Sequence, residues 1–449
     1  MQDRGHWGSK VGFVLAAAGS AIGLGNIWKF PYITGENGGG AFVLIYLACI
    51  AFIGLPVLTA EILLGRAAQR SPVSAFKALA GEKTPWKGIG WMGVVAAFIL
   101  LSYYSVVAGW ALHYTSLAVT GGLMERGPDG MEPLFGELFA STPLNLRWHL
   151  IFMVLTIAVV LGGVRNGVER WSRILMPLLF VMIAVMLVNS FTVEGFGEGL
   201  RFVFGFHTED LTAAGVLEAL GHAFFTLSLG MGTILTYGSY LNPHDDIAAA
   251  SISVATLDTV ISLSAAMIIF PIIFTFGMEP GSGPGLVFIT VPVALSQLPA
   301  GATLAVIFFG LLVFAALTSA ISILEVTTSY FIDEHQWSRT KATLVSGIAI
   351  AIMGIPSALS GSTALFGRGY IGGRNWFDSF DYLVSNWLLP LGGLGIALFT
   401  AWRLDDAIRH REFLTGSKLA VFYKGWLLLL KFVVPVAIGF VFLHAVGVV

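Results

Sequence analysis

Two clusters of glycine and polar residues interrupt otherwise apolar stretches of this chain. The first lies in residues 16–31, where three closely spaced glycines precede Asn26 and Lys29. Glycine is a weak helix former, and a helix broken at membrane depth is tolerated only where its freed backbone groups face protein, water or a ligand. Freed carbonyl oxygens attract cations and freed amides attract anions. We therefore interpret residues 16–31 as part of a binding site.

The second cluster lies in residues 224–232, where Thr226 and Ser228 are followed by Gly230 and Gly232. These residues weaken a helix and offer hydroxyl and carbonyl oxygens. Asp258 adds a carboxylate inside a third apolar stretch. A charged group in such a place costs several kcal/mol unless it is partnered, which makes it a functional candidate by default.

The composition identifies an integral membrane protein. Of the 449 residues 56% are hydrophobic and only 11% are charged, which is more apolar surface than a soluble globule can bury. The net charge of −2 gives no basic excess for nucleic acid. The single cysteine, Cys49, excludes a disulfide framework and a cysteine metal site. The polar first ten residues show no cleavage site and are interpreted as a retained cytoplasmic tail.

Eleven apolar stretches are long enough to cross a bilayer, for which about 20 helical residues suffice. They lie near residues 10–34, 39–64, 88–119, 147–163, 167–190, 213–240, 247–276, 300–332, 340–356, 376–402 and 418–446. The segment 281–299 is too broken by proline to span, and we expect a re-entrant or capping loop on the outer face. The short loops predict a single transmembrane domain over residues 1–449.

The basic residues predict the orientation. Sixteen of the 24 Lys and Arg residues fall on the side of the N-terminus, and five fall on the other. Because positive charge accumulates on the cytoplasmic side, we expect the N-terminus inside and the C-terminus outside.

The spacing of the two interruptions predicts internal symmetry. They fall in the first and sixth spans, and two broken helices in corresponding positions are typical of an inverted repeat with its site between the halves. We expect repeat one over about residues 10–190, repeat two over about 213–402, and a peripheral helix over about 418–446.

Long motifs then carry a family resemblance. GSAIGLGNIWKFPYITGENGGGAF begins at Gly19, SYY lies in the third span, FFTLSLGMGTILTYGSY in the sixth and ALTSAIS in the eighth. With these motifs the chain resembles the neurotransmitter:sodium symporter family, and most closely its eleven-span bacterial members that carry hydrophobic amino acids. The resemblance covers nearly the whole chain.

The resemblance implies an all-α membrane protein with eleven transmembrane helices in a 5+5 inverted repeat, the LeuT-type fold. It implies a sodium-coupled symporter that imports hydrophobic L-amino acids, aliphatic and aromatic, by alternating access across the bacterial inner membrane. The expected partners are the substrate and the bilayer, with no obligate protein partner. No phosphate loop, paired nucleophile and base, or soluble ATPase domain is recognisable, so an enzyme is not expected.

The resemblance also implies two sodium sites. The first would use the Ala21 carbonyl with Asn26, Thr226 and Asp258, and the substrate carboxylate would complete it. The second would use the carbonyls of Gly19, Ile22 and Ala315 with the hydroxyls of Thr318 and Ser319. Taken without the resemblance, the two hydroxyls are better explained by hydrogen bonds to the preceding helical turn.

Chloride-dependent relatives hold an anion beside the first sodium ion. The matching positions here are Tyr46, His222, Thr226, Asp258 and Ser262. Asp258 stands where the family commonly has asparagine, so its carboxylate can supply the negative charge, and we expect no chloride requirement. In the alternative interpretation, His222 charged at low pH attracts an anion or moves a counter-transported proton.

The resemblance implies an amino-acid pocket at the two interruptions. Amides near Leu24 and Gly25 would bind the carboxylate, and carbonyls of Ala21, Phe225 and Thr226 would face the amine. Monoamine carriers have an aspartate where this chain has Gly23, which leaves room for a substrate with its own carboxylate. The side-chain pocket would comprise Leu100, Tyr104, Phe225, Ser228, Met231, Ser319 and Ile323. Plain core packing is the alternative for Met231 and Ile323.

Gates are expected on both sides of the pocket. Lys29 and Asp381 would form the outer ion pair above an aromatic lid of Tyr104 and Phe225. Lysine replaces the usual arginine and cannot form the same two-pronged contact, which predicts a looser gate. Arg4 and Asp333 would form the inner pair, with Trp7 anchoring the tail and Tyr240 nearby. A solvated Arg4 is the alternative.

Two further helices are expected to support the moving parts. Glu61 in the second span would accept amides freed by the broken sixth span. Gly167 and Pro177 in the fifth span would form a hinge by which that helix unwinds and admits water to the second sodium site. A simple helix start after Gly167 and a static kink at Pro177 are the alternatives.

Two rival functions stay open on the sequence. One is a channel or amino-acid sensor on the same scaffold. The other is coupling to protons, although the hydroxyl pair Thr318 and Ser319 favours sodium because sodium-free proteins of this fold commonly place a basic side chain there.

Overall fold

A computed structural model describes residues 5–205, 211–280 and 283–445 of the chain. Within these ranges the regular secondary structure is entirely helical. The prediction of an all-α membrane protein is therefore confirmed.

Eighteen helices organise the described residues, short turns aside. In chain order they are α1 Lys10–Ala21, α2 Gly25–Glu36, α3 Gly40–Ala68, α4 Pro72–Ala80, α5 Lys87–Thr120, α6 Met131–Ala140, α7 Thr142–Leu161, α8 Val164–Ser190, α9 Phe196–Phe204, α10 Ala213–Thr226, α11 Thr233–Gly238, α12 Ile247–Thr275, α13 Gly283–Ser296, α14 Gly301–His335, α15 Arg339–Ala358, α16 Trp376–Arg403, α17 Asp406–Leu414 and α18 Ala420–Phe440.

Nine of these helices in the described ranges are individually long and apolar enough to cross a membrane. The pair α1 and α2 forms a tenth candidate, bent by 48° at its break. The predicted sixth span consists of α10 with 14 residues and α11 with six, each too short to cross alone. The predicted number of eleven spans therefore depends on counting α10 and α11 as one broken span.

The first break lies between Ala21 and Gly25. Helix α1 ends at Ala21 because Ile22 adopts an extended conformation, with φ −74° and ψ 99°. The chain then re-enters a helix at Gly25, through a wide π-type turn that continues to Lys29. A wide turn of this kind often marks a functional site.

The second break lies between Thr226 and Thr233. Ser228 has a φ of 55° and Gly232 one of 77°, both in the left-handed region that ends a right-handed helix. Gly230 also has positive φ, and a Cβ atom there would lie 2.1 Å from the Leu389 carbonyl oxygen. Only glycine fits this position without displacing α16.

Wide turns also explain how five helices accommodate proline. In each case a π-type turn ends one residue before an X–Pro pair. Proline lacks an amide hydrogen and its ring clashes with the preceding turn, so a locally widened helix relieves both problems. The prolines concerned are Pro31, Pro56, Pro292, Pro390 and Pro435.

The segment 281–299 was predicted to be a re-entrant or capping loop that does not span the membrane. Its described part forms α13, Gly283–Ser296, which is apolar but too short to span. Trp28 Nε1 donates a hydrogen bond to the Gly283 carbonyl at 3.1 Å, and Phe288 packs against Trp110 and Phe135. The widened turn before Pro292 is what allows a helix to form in a proline-containing segment. The helix covers one end of α5 and contacts α2 through Trp28.

Two long helices form the support of the site. Helix α14 packs extensively along α5, and it also contacts α1, α8 and α11. Both helices are largely buried. They therefore provide a rigid wall against which the two broken segments are positioned.

Candidate ion and substrate site

The two breaks meet around one small cavity. Its lining comprises Ser20, Ala21, Gly23, Leu24, Gly25, Leu100, Tyr104, Phe225, Thr226, Ser228, Met231, Ser319 and Ile323. All twelve residues predicted for the substrate line this cavity. Ser20 is the one lining residue that sequence reasoning missed, although its place beside Gly19 in the break was a usable signal.

Gly23 is required at the narrow end of the cavity. A Cβ atom there would lie 2.6 Å from Ser319 Oγ and 2.9 Å from Tyr104 Oη. Tyr104 Oη accepts a hydrogen bond from the Leu24 amide at 3.2 Å. Its own hydrogen therefore remains available to a carboxylate, as the sequence interpretation requires.

Phe225 covers the first break. A Cβ atom on Gly25 would lie 3.0 Å from the Phe225 ring, so ring and backbone are in close contact. Lys29 Nζ lies 5.0 Å from the centre of the same ring, within the range of a cation–π interaction.

The four residues predicted for the first sodium site come together. Asp258 Oδ1 accepts hydrogen bonds from Asn26 Nδ2 at 2.6 Å and from Thr226 Oγ1 at 2.8 Å. Both side chains and the carboxylate are buried, and the Ala21 backbone lines the adjoining cavity. Within the described residues no Lys or Arg pairs with Asp258, so a cation is the natural partner for this buried charge.

In this conformation the side-chain amide of Asn26 forms its hydrogen bonds with other protein groups. Its nitrogen faces Asp258, Thr226 and Ser262, and its oxygen accepts the Gly23 amide at 2.8 Å. Sodium prefers oxygen ligands. Direct coordination by Asn26 therefore requires the amide to rotate so that its oxygen faces the carboxylate.

The positions that hold chloride in relatives also lie around Asp258. Tyr46 Oη donates to Asp258 Oδ2 at 3.2 Å and lies 3.4 Å from Ser262 Oγ. His222 is buried between the rings of Phe30 and Tyr46, at 5.8 and 5.5 Å between centroids. Neither of its ring nitrogens has a hydrogen-bond partner among the described residues.

Some of the residues predicted for the second sodium site come together. Ser319 Oγ lies 3.3 Å from the Gly19 carbonyl oxygen and 3.4 Å from that of Ile22. Thr318 Oγ1 donates to the Ala315 carbonyl at 3.0 Å. Thr318 Oγ1 also donates to the Phe314 carbonyl at 3.1 Å, so this hydroxyl bonds to its own helix, whereas the Ser319 hydroxyl faces the open end of α1. Ser319 bonds across to another helix, which a hydroxyl that only caps its own turn would not do.

Serines connect the two broken segments directly. Ser228 Oγ donates to the Ser20 carbonyl at 2.8 Å, and Ser20 Oγ lies 2.7 Å from Ser322 Oγ. Ser322 was not predicted, because a serine one helical turn after Ser319 in α14 carries no distinctive sequence signal.

The predicted outer pair is present in a loose geometry. Lys29 Nζ lies 3.6 Å from Asp381 Oδ2. The other carboxylate oxygen accepts hydrogen bonds from Tyr103 and Ser385, both at 3.0 Å. These two residues were missed by sequence reasoning, although Tyr103 belongs to the SYY motif.

The predicted inner pair is described only in part, because Arg4 lies outside the described residues. Asp333 Oδ2 accepts the Ser71 amide at 2.6 Å. Trp7 is buried, and its Nε1 donates to the Tyr237 carbonyl at 2.9 Å while its amide donates to the Tyr240 carbonyl at 3.2 Å. The tail is therefore held against α11.

A buried ion pair near Tyr240 was not predicted. Glu325 of α14 is fully buried, forms a salt bridge with Arg339 and accepts the Tyr240 hydroxyl at 2.7 Å. Arg339 Nε also donates to the Val160 carbonyl at 3.0 Å. This cluster joins α7, α14 and α15 to the segment after α11.

The brace and hinge residues occupy the expected elements. Glu61 accepts the Gly230 amide at 2.7 Å and the Leu235 amide at 3.2 Å, across the second break. Gly167 lies in the wide first turn of α8, where a Cβ atom would approach the Val159 carbonyl oxygen to 2.2 Å. Pro177 lies inside the same helix.

These features define a class of protein. Two discontinuous helices that face each other across a small cavity, with carbonyl and hydroxyl oxygens beside it, are typical of secondary transporters with internal repeats.

Sequence comparison identifies the family within that class. The family model described as the sodium:neurotransmitter symporter family matches residues 4–125 and 140–448, and the chain belongs to this family. It is therefore a sodium-dependent symporter, and the expectation that it is not an enzyme is confirmed.

Comparison with individual relatives supports the same family. The chain is 40% identical to the uncharacterized sodium-dependent transporter YhdH of Bacillus subtilis over 98% of both chains. It is 34% identical to an uncharacterized sodium-dependent transporter of Haemophilus influenzae over 98% of both chains. Among solved structures, MhsT in complex with L-phenylalanine is 44% identical, with a TM-score of 0.93 over 98% of this chain and 100% of that one. The predicted family and LeuT-type fold are confirmed.

Proposed function

We propose that this symporter couples sodium entry to the import of hydrophobic L-amino acids, aliphatic and aromatic, into a bacterial cell. The observation that carries the proposal is the cavity between the two breaks, none of whose lining side chains bears a formal charge. An amino acid supplies a carboxylate and an amine for the backbone groups at its two ends. An apolar side chain then matches Leu100, Met231 and Ile323. The complex of MhsT with L-phenylalanine supports this choice of substrate class.

The ligand groups divide between the two ends of the amino acid. The carboxylate binds near the Leu24 and Gly25 amides and the Tyr104 hydroxyl, since a helix N-terminus favours an anion. The amine faces the carbonyls of Ala21, Phe225 and Thr226. Met231 is unbranched and adapts to side chains of different shape, which suits a pocket that accepts both aliphatic and aromatic residues.

Two sodium ions bind beside this pocket. The first ion binds Ala21, Asn26, Thr226 and Asp258, and the substrate carboxylate completes its coordination. The second binds Gly19, Ile22, Ala315, Thr318 and Ser319. Because ion and substrate share one coordination shell, each raises the affinity for the other, and this reciprocity couples the two fluxes.

Binding at all sites favours closure of the outer gate and opening of the inner one. Lys29, Asp381, Tyr104 and Phe225 close the outer path. Arg4, Asp333, Trp7 and Tyr240 close the inner path, and Gly167 with Pro177 allows α8 to unwind. A ligand can drive such a change only through its different affinity for the two conformations.

Transport does not require chloride in this proposal. Asp258 supplies a carboxylate, and so a negative charge, at the place where chloride-dependent relatives hold the anion. Tyr46, Thr226 and Asn26 all donate to its carboxylate, which keeps the charge in position.

Uptake into proteoliposomes tests the proposal. Purified protein is reconstituted with an inward sodium gradient, and accumulation of labelled L-phenylalanine is measured with all twenty amino acids as competitors. We expect uphill accumulation that potassium cannot support and that leucine, isoleucine and tryptophan inhibit. Preferential inhibition by cationic or acidic amino acids contradicts the pocket assignment, and accumulation driven by a proton gradient alone contradicts sodium coupling.

A further inference from the structure

Glu169 is a buried carboxylate to which the proposed transport cycle assigns no role. Its side chain is only 3% exposed, and it lies two residues after Gly167 in the first turn of α8. The groups that it contacts belong mainly to the N-terminal segment rather than to its own helix.

The carboxylate binds the chain just before α1. Glu169 Oε2 accepts the Gly8 amide at 2.7 Å, and Oε1 accepts the Ser9 hydroxyl at 3.3 Å. Ser9 is itself the N-cap of α1, where its hydroxyl accepts the Gly12 amide. A carboxylate at a helix N-terminus interacts favourably with the helix dipole, and hydrogen bonds to a charged acceptor are stronger than neutral ones.

Two arginines of α8 lie near this contact but do not replace it. Arg173 Nη1 is 3.8 Å from Glu169 Oε1, and its side chain is 55% exposed. Arg165 Nε lies 3.2 Å from where a Cβ atom on Gly8 would be. The shortest of these contacts is therefore that of the Gly8 backbone amide, a donor that substitution by proline would remove.

Gly12 makes room for the carboxylate. A Cβ atom there would lie 2.1 Å from Glu169 Oε1 and 2.6 Å from its carboxyl carbon. Any residue larger than glycine at this position must expel the carboxylate. Gly8, Ser9, Gly12 and Glu169 thus form a matched set drawn from two elements, which we name the Glu169 latch.

We infer that the Glu169 latch is a positioning device that couples the first turn of α8 to the N-terminal end of α1. Helix α1 carries the Gly19 carbonyl proposed for the second sodium ion, and the first turn of α8 carries the proposed hinge at Gly167. While Glu169 contacts Gly8 and Ser9, the first turn of α8 and the N-terminal end of α1 move together. Unwinding of residues 164–169 withdraws the carboxylate and frees α1, so that inward opening and loss of the second sodium ion occur as one event.

The inference rests on the proposed function, because that proposal assigns the hinge and the second sodium site. The two still make separate predictions. The proposed function requires sodium-dependent binding of a hydrophobic amino acid, whereas the latch requires that α1 and the start of α8 open together.

A double-mutant cycle tests the latch. Glu169→Ala, Gly12→Ala and the double variant are purified as full chains. Sodium dependence of L-phenylalanine binding is measured for each, together with hydrogen exchange of peptides covering residues 5–15 and 162–172. We expect each single substitution to raise the half-maximal sodium concentration about tenfold, or about 1.4 kcal/mol. Exchange should become faster in both segments.

The double variant is expected to resemble Glu169→Ala, because removal of the carboxylate leaves space for the added methyl group. Gly88→Ala serves as the matched control, since a Cβ atom there meets no atom within 4 Å. Arg173→Gln controls for the loss of charge near the carboxylate. Both controls should leave sodium dependence and exchange unchanged.

Three outcomes overturn the inference. One is faster exchange in residues 5–15 alone. Another is a lowered unfolding temperature with unchanged sodium dependence, which indicates a merely structural contact. The third is additive effects in the double variant. If the unmodified protein shows no sodium-dependent L-phenylalanine binding, the proposed function fails, while the exchange of the two segments still decides whether the latch couples them.

Discussion

At the scale of single residues, the site depends on a few positions where size or charge is strictly limited. Gly23 is enclosed by Ser319 and Tyr104, and Asp258 is enclosed by donors from three other segments. The first position limits what can enter the pocket. The second supplies a charge that no lipid would tolerate without a partner.

Substitution of Gly23 by alanine should weaken substrate binding. The added methyl group would lie 2.6 Å from Ser319 Oγ and 2.9 Å from Tyr104 Oη, so one of these groups must leave its place in the pocket. Overpacking of this kind costs about 1–3 kcal/mol, or about 5-fold to 150-fold in affinity. Binding of labelled L-phenylalanine measures the loss. Gly88→Ala, at an uncrowded position, should bind normally, and equal losses in both variants would contradict the argument.

Substitution of Asp258 by asparagine should make transport sensitive to chloride. The unmodified protein is expected to transport equally well in chloride and in gluconate, because the carboxylate supplies the negative charge. The variant retains the size of the side chain but loses the charge, so we expect uptake at least about tenfold weaker in gluconate than in chloride, since 1.4 kcal/mol of lost charge interaction suffices for that ratio. Uptake in the two anions measures the effect. A variant that is equally active in both would show that the charge has no such role.

At the scale of elements, the breaks persist because other helices bind the freed backbone groups. Glu61 accepts two amides at the second break, and the Ser319 hydroxyl of α14 faces the carbonyls at the first. An unsatisfied backbone group in an apolar environment costs several kcal/mol. The supporting helices α3 and α14 are therefore as necessary to the site as the broken ones.

Substitution of Glu61 by glutamine should destabilise the protein. The amide group keeps one acceptor oxygen but turns a donor towards one of the two backbone amides, at a cost of about 1–3 kcal/mol. Thermal unfolding of the detergent-purified protein measures this as a lowered midpoint. Glu132→Gln is the matched control, because Glu132 is exposed in α6. An unchanged midpoint in Glu61→Gln would mean that the second break does not need the carboxylate.

At the scale of the whole molecule, the number of spans decides whether the two termini lie on the same side of the membrane. The described residues contain nine long apolar helices and one bent pair, and α10 with α11 would complete eleven spans. An odd number of crossings places the two termini on opposite sides. The predicted cytoplasmic N-terminus therefore requires an external C-terminus.

Reporter fusions test this topology. Alkaline phosphatase fused after residue 449 should be active, and green fluorescent protein at the same position should be dark, because the first folds outside and the second inside. Fusions within the loop between α16 and α17 provide the control and should give the opposite pattern. A fluorescent C-terminal fusion would contradict eleven spans with a cytoplasmic N-terminus.

Much of the protein's fold and candidate site could be predicted from local sequence. Apolar length defined most of the spans, and the glycines of residues 16–31 and 224–232 marked both breaks, because helix propensity and burial act over a few neighbouring residues. The family motifs then supplied the ligand residues, and all twelve predicted substrate residues line one cavity.

Other features depended on contacts between distant segments. Examples are the ion pair of Glu325 with Arg339 and the contact of Glu169 with Gly8, whose separate sequences show no motif. The position of the helix Gly283–Ser296 against α5 is another. A buried carboxylate can accept backbone amides, form an ion pair with a side chain, or remain available to a cation. Which of these occurs depends on the donors that the fold brings within about 3 Å. That distance is a property of packing between helices, and only the tertiary structure determines it.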